Sequence, residues 1–146
     1  MAIKQADTGV RAASDRFYKA LGQMASGDAD SMEEIWSHRE DVTTMHPIGG
    51  REVGWEAVKE PWKAVAGLAE KGEVTRTDQF IRVMGDVAYE LTTEEVSMTL
   101  GGETLDSAYR ATNIYCLEDG EWKIVHHHAD LDPKFIELLQ RLEGAA

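Results

Sequence analysis

At 146 residues the chain is long enough for one domain to bury a core without disulfide or metal staples. Its 27 acidic residues outnumber 15 basic ones, and the resulting formal charge of −12 opposes docking on nucleic-acid phosphates or on an anionic membrane. No apolar run reaches the length of a membrane span, and the one cysteine, Cys116, excludes an internal disulfide and any zinc site built on several thiolates. The opening residues, Met1 to Asp7, carry no apolar signal core, so a cytoplasmic location is expected. With no repeat, low-complexity run or linker in between, residues 1–146 read as one domain.

The first half reads as helical. Ala13, Phe17, Ala20, Leu21 and Met24 recur at three-to-four spacing, an amphipathic stripe with Asp15 and Lys19 as an i,i+4 pair on the exposed side. Ser26-Gly27-Asp28 ends that helix. Ser31 and Glu34 then have the spacing of a capping box, predicting a short helix through Ile35 and Trp36. Val42 to His46 is a short strand stopped by Pro47 and Gly49-Gly50. A third helix is expected from about Gly54 to Glu70, with Trp55, Val58, Trp62, Val65 and Leu68 on one face. Pro61 inside it implies a kink or an irregular first turn.

The second half reads as sheet. Four β-rich runs, at about 74–84, 87–99, 104–117 and 121–130, are joined at Gly85-Asp86, Gly101-Gly102 and Asp119-Gly120, each a hairpin signal. Three successive hairpins make an antiparallel meander. Asp132-Pro133 opens a last helix whose apolar side includes Phe135, Leu138 and Leu142. The expected class is α+β: a cone-shaped, curved antiparallel sheet of four long strands and one short, wrapped on three N-terminal helices, with a C-terminal helix. A ligand cavity belongs between the helices and the concave face.

Several segments carry a resemblance: Arg-Phe-Tyr-Lys-Ala-Leu at 16–21, Val-Thr-Thr-Met-His-Pro at 42–47, Gly-Trp-Glu-Ala-Val at 54–58, and Asp-Gly-Glu-Trp-Lys-Ile-Val-His-His-His at 119–128. In their order the chain resembles the nuclear transport factor two-like superfamily. Within it, the chain is similar to SnoaL-like polyketide-cyclase-type proteins and to the association domain of calcium/calmodulin-dependent kinase II. That fold hosts isomerases, dehydratases, cyclases, hydrolases and plain binding or assembly modules.

The resemblance assigns positions. His46 falls where ketosteroid isomerase carries its proton-shuttling aspartate, before the same proline. The oxyanion tyrosine of that enzyme falls at Phe17, beside Tyr18, and its second acid falls near Thr112 or Asn113, so steroid isomerisation by that mechanism is not expected. The pocket arginines of the kinase association domain fall at Asn113 and Ala129, so its anion pocket is not reproduced. By the same comparison the Val125/His127/Ala129 side of the last strand lines the pocket, leaving His126 and His128 with Trp122 and Ile124 on the outer face. A β-bulge in this strand would invert that assignment. Tyr109 and Asn113 share the inner face of their strand, with Arg110 outside beside acidic neighbours. Asp130 either orients a histidine or caps the strand end.

Histidine titrates near neutrality, so His46 suits a general base. His127 would be its acid partner or a second donor, and Tyr109 and Asn113 would hold a developing oxyanion. Tyr18, Trp62 and Phe17 are the expected substrate-binding aromatics. The three consecutive histidines lack the spacing of a metal signature; no metal and no cofactor is expected. The partners expected are a small, largely apolar ligand and a second copy of the chain, joined through the outer sheet face. A non-catalytic binding or assembly module is the alternative.

Overall fold

A computed structural model describes residues 2–144. The apolar stripe closes into α1 (Ala2–Met24), with Val10, Ala13, Phe17, Ala20 and Leu21 buried. Asp15 does not pair along the helix with Lys19. It reaches Arg76 of the sheet at 2.6 Å, because that strand runs across the helix. The short helix α2 (Met32–Ile35) follows, but its capping box does not form: Ser31 has helical backbone angles and makes no side-chain cap. The first amides instead bond to Ala29 and Asp30 carbonyls in a preceding turn.

Strand β1 (Thr43–His46) is where the sequence predicts it. Gly49-Gly50 does not end the pairing, however. Both glycines take left-handed backbone angles and start a second strand, β2 (Gly49–Val53), that folds back on β1. Helix α3 (Trp55–Leu68) runs through Pro61, and β3 (Ala69–Met84) follows it directly. Strands β4 (Val87–Leu100), β5 (Glu103–Glu118) and β6 (Glu121–Ala129) complete the meander, each hairpin turning at the expected glycines. Helix α4 (Pro133–Gly144) begins with Asp132 accepting the Lys134 amide at 2.9 Å.

The sheet has six strands in the order β2-β1-β6-β5-β4-β3, curved and open. The expected five strands become six, and β1 lies parallel to β6 rather than antiparallel. That parallel pairing matters for the site, since it sets Thr44 beside His127 and brings the end of β1 to the middle of the concave face.

Helix α1 lies across β3 and β6, and α3 closes over β1, β2 and β3. Close approach of α1 to β3 depends on Gly72. A Cβ there would lie 2.7 Å from the Ala25 carbonyl oxygen and 2.9 Å from that of Ser97, both backbone atoms with little room to move. Gly72→Ala is therefore expected to lower stability by about 1–3 kcal/mol. Gly67→Ala, in α3 with no atom within 4 Å of the new methyl, should leave it unchanged or raise it by up to about 1 kcal/mol. Urea melts of the two variants side by side check both.

Candidate functional site

Strand β4 supplies the deepest polar groups. Its period of two places Ala88, Glu90, Thr92, Glu94, Val96, Met98 and Leu100 on the concave face, all buried. Two carboxylates thus stand inside the fold. Glu90 accepts four hydrogen bonds: from Ser14 Oγ at 2.6 Å, Gln79 Nε2 at 2.7 Å, Tyr115 Oη at 2.8 Å and Asn113 Nδ2 at 3.0 Å. The Gln79 contact depends on a bulge in β3, where Asp78 adopts a left-handed backbone (φ 54°) and the register slips between Thr77 and Phe80. Glu94 accepts one hydrogen bond, from Tyr18 Oη at 2.7 Å.

A second bulge, in β6, decides the histidines. The register with β5 slips between Ile124 and His126, so Val125 is the extra residue. Trp122 and Ile124 therefore face inward, and so do His127 and Ala129; His126 and His128 face out. The expected common face for Trp122, Ile124, His126 and His128 is corrected by that one inserted residue. His127 Nδ1 lies 2.6 Å from Asn113 Oδ1. Both amide protons of Asn113 are already directed at Tyr18 Oη (2.9 Å) and Glu90. Its oxygen must accept, so Nδ1 of His127 carries the proton and Nε2 presents a lone pair. That Nε2 stands 4.0 Å from Glu94 Oε2.

A cavity of about 60 Å³ opens above these groups, lined by His46, Pro61, Trp62, Glu94, Tyr109 and His127 and walled by Leu21, Met24, Val65, Val74, Val96, Met98 and Phe135. This volume holds a few waters. Pockets for drug-sized ligands run to about 300 Å³ or more, so this cavity as it stands admits only a much smaller molecule. Among the described residues, no lysine or arginine lines the cavity. Nor does any group of three or more His, Cys, Asp or Glu come together to hold a metal ion.

The sequence-derived candidates divide accordingly. His46, His127, Tyr109 and Trp62 reach the cavity, whereas Phe17, Tyr18 and Asn113 lie behind its wall. Phe17 is a core residue: its ring packs against Trp36, Trp62 and His127 at centroid distances of 6.3, 6.1 and 5.1 Å. The helical stripe that made it visible is the stripe that buries it. Tyr18 and Asn113 carry the hydrogen bonds between the two glutamates. Tyr109 donates to Asp132 at 2.7 Å. Asp130 is bound by the Arg110 guanidinium and backbone amide on the outer edge, where His128 acts on it only through its charge. Neither glutamate was among the candidates, although the alternation of 88 to 100 already set both on one face with Val96 and Met98.

Desolvation governs ionisation here. Burial pushes His46 down to about 4. It also pushes His127 well below its ordinary range, with His46 and the flanking histidines adding to the effect. Burial pushes Glu94 up to about 7; the Tyr18 hydrogen bond pulls the other way, and the charge of Glu90 adds to the rise. Tyr18 and Tyr109 are both raised by burial first, with Glu94 adding to the former and Asp132 to the latter, so both remain donors. His46 edges onto Trp62 at 4.5 Å between centroids. Its Nε2 is buried without a hydrogen-bond partner, and the nearest carboxylate, Glu52, is 3.8 Å away.

Solved structures share this architecture. A nuclear transport factor two-like protein from Streptomyces avermitilis, described as a candidate dehydratase, superposes with a TM-score of 0.77 at 23% identity, covering 90% of this chain and 99% of that one. A candidate calcium/calmodulin-dependent protein kinase type II association domain from Thiobacillus denitrificans gives 0.64 at 29% identity, covering 83% and 93%. A nuclear transport factor two-like superfamily protein from Salmonella enterica gives 0.76 at 18% identity, covering 90% and 92%. No curated protein matches the chain in sequence. The fold is thus that of the nuclear transport factor two-like superfamily. Residues 10–130 match the SnoaL-like domain model, and the chain belongs to that family.

The lowered basicity of His46 has a consequence for stability. Between its ordinary value of 6.5 and about 4 the unfolded chain binds the proton more readily than the folded one, so stability is present at neutral pH and is lost as pH falls through that window. The His46 contribution is on the order of 3 kcal/mol. His46→Phe keeps the ring contact with Trp62 and removes this loss. Its stability relative to wild type should rise between pH 7 and pH ~4.5 in parallel chemical melts.

Proposed function

We propose that this protein is an acid–base enzyme of the isomerase, dehydratase or cyclase kind, acting on a small, neutral, largely apolar carbonyl or hydroxyl compound, with His46 as the base. One observation carries the reading: the buried, unpartnered Nε2 of His46 at the wall of the cavity. A buried polar atom without a partner is costly, and a ligand atom placed against it offsets that cost. Burial keeps the imidazole neutral, so one of its ring nitrogens is free to take a proton, with a basicity near that of a carboxylate. The apolar walls favour an apolar ligand body. A cavity without lysine or arginine disfavours carboxylates and phosphates. Likeness to the Streptomyces avermitilis protein described as a candidate dehydratase supports the same class. His127, Tyr109 and Asn113 hold and shape the site, since the proton on each that points away from the cavity is already committed. Cys116, a free thiol, suits a reducing compartment such as the cytoplasm.

A second reading, which is compatible with the first, is assembly. The outer sheet face sets Phe80 opposite Leu91 and Met84 opposite Val87, four exposed apolar side chains on neighbouring strands. His126 and His128 share that face. An apolar stripe of this kind is covered in a stable assembly, and likeness to the association domain from Thiobacillus denitrificans supports self-association. The partner proposed is a second copy of the chain. Sedimentation at tens of micromolar, roughly the range in which a stable dimer persists, should give a dimer, and Leu91→Glu should shift it to monomer. A monomeric wild type would overturn this reading.

For the enzyme reading, His46→Ala should abolish turnover of any substrate found in a screen of small ketones and alcohols, by about a hundredfold or more, while the fold is kept. The wild-type rate should fall on the acid side with an apparent value of about 4, as His46 gains a proton. Unchanged turnover in His46→Ala would remove His46 from the role.

A further inference from the structure

A base that removes a proton needs a partner that gives one, and around His46 the hydroxyl, amide and imidazole donors are engaged elsewhere, while the unpartnered N–H of Trp62 belongs to an indole, which does not release its proton. Tyr109 is bound to Asp132, Tyr18 to Glu94, and both amide protons of Asn113 to Tyr18 and Glu90. His127 holds its proton on Nδ1, away from the cavity. Resting on the acid–base reading above, we propose that Glu94 gives the proton to a hydroxyl oxygen of the bound ligand, and that His127 beside it is a neutral acceptor positioned by Glu90 through Asn113.

The division of labour between the two carboxylates is geometric. Glu90 collects four donors and lies behind the wall; Glu94 receives one and lines the cavity. The titratable groups around Glu94 are Tyr18 from α1, Glu90 on its own strand, Tyr109 from β5, His127 from β6 and His46 from β1. With both histidines neutral, none of them is a cation. The guanidinium of Arg76 lies 5.4 Å over the Tyr18 ring and is spent on Ser14 and Asp15. The Tyr18 hydrogen bond alone among these contacts favours its charge, and burial outweighs it, raising Glu94 to about 7.

The 4.0 Å between Glu94 Oε2 and His127 Nε2 is too long for a direct hydrogen bond. It is the right span for one inserted oxygen that touches both. A ligand hydroxyl seated there accepts the Glu94 proton and directs its own hydrogen at the His127 lone pair. As the ligand C–O bond breaks and its electron pair goes to the departing oxygen, the O–H bond of Glu94 breaks and a new O–H bond forms on that oxygen, so water leaves and a carboxylate remains. The proton that His46 has taken from the ligand restores the acid at the end of the cycle, so no net proton and no redox partner is needed.

The test needs no ligand. In the full chain labelled with ¹³C at glutamate, one carboxyl resonance should titrate at about 7, far from the others, and should be lost in Glu94→Gln. If that variant does not fold, through-bond assignment of the wild-type resonance carries the same test. Glu94→Gln removes an ionisation that the folded state disfavours. Its melting temperature relative to wild type should therefore rise as pH increases from the ordinary glutamate range through 7. Imidazole ¹⁵N spectra should show His127 protonated on Nδ1 alone, and Glu90→Gln should shift a fraction of the proton to Nε2. The proposal is overturned if no glutamate titrates above the ordinary carboxylate range, if the high-titrating one survives Glu94→Gln, or if wild-type His127 carries its proton on Nε2. These results are independent of turnover. A Glu94 resonance titrating at about 7 together with an active His46→Ala would sink the base assignment alone, and an ordinary Glu94 titration together with an inactive His46→Ala would sink this proposal alone.

Discussion

Glu90 and Glu94 lie on the same face of β4, two pleats apart, and both are closed off from solvent. Burying one carboxylate is costly, and burying two close together adds repulsion. The surrounding fold is arranged to meet that cost unequally. Donors from α1, β3 and β5 converge on Glu90, while Glu94 is left with a single tyrosine. The result is two chemically identical side chains with different environments, one surrounded by four donors and one left with a single donor.

The histidines follow from the same arrangement. Asn113 satisfies Glu90 and Tyr18 with its amide protons and so has only its oxygen left for His127. A hydrogen-bond direction set at one carboxylate is thereby passed to an imidazole at the cavity. His46 comes from the opposite side, at the end of a strand held parallel to β6, and packs on Trp62 where no donor or acceptor reaches its Nε2. Apolar walls then act on all three groups in one direction, favouring the neutral form of each.

The strongly acidic surface does not enter this chemistry. Its carboxylates are hydrated and screened, and many are paired at the surface, as Asp7 is with Arg11 and Asp130 with Arg110. The outer sheet face carries the exposed aromatic and aliphatic side chains, and the inner face carries the polar cluster. The polar cavity and the exposed apolar stripe are therefore separated by the thickness of one sheet.

Much of the architecture was legible from periodicity and turn chemistry. Three glycine-bearing turns defined the meander, helical spacing found α1 and α3, and strand alternation put Tyr109 and Asn113 on one face opposite Arg110, a face that the family resemblance set inward. These signals are local, because a pleat or a helical turn repeats within a few residues. Left to the tertiary structure were the features whose cause lies elsewhere in the chain. Strand β2 begins with two glycines and exists because β1 offers it an edge. The faces of Trp122 and Ile124 depend on one bulged residue, Val125, that only pairing with β5 reveals. Phe17 and His46 both looked like pocket residues, and only the packing of α1 against β6 separates a core ring from a cavity wall. Glu90 and Glu94 sit in a run of polar residues that reads as an ordinary solvated strand face. The alternation with Val96 and Met98 was present in the sequence, but their burial depends on α1 crossing the sheet and sending Ser14 and Tyr18 to them, and no local pattern encodes that.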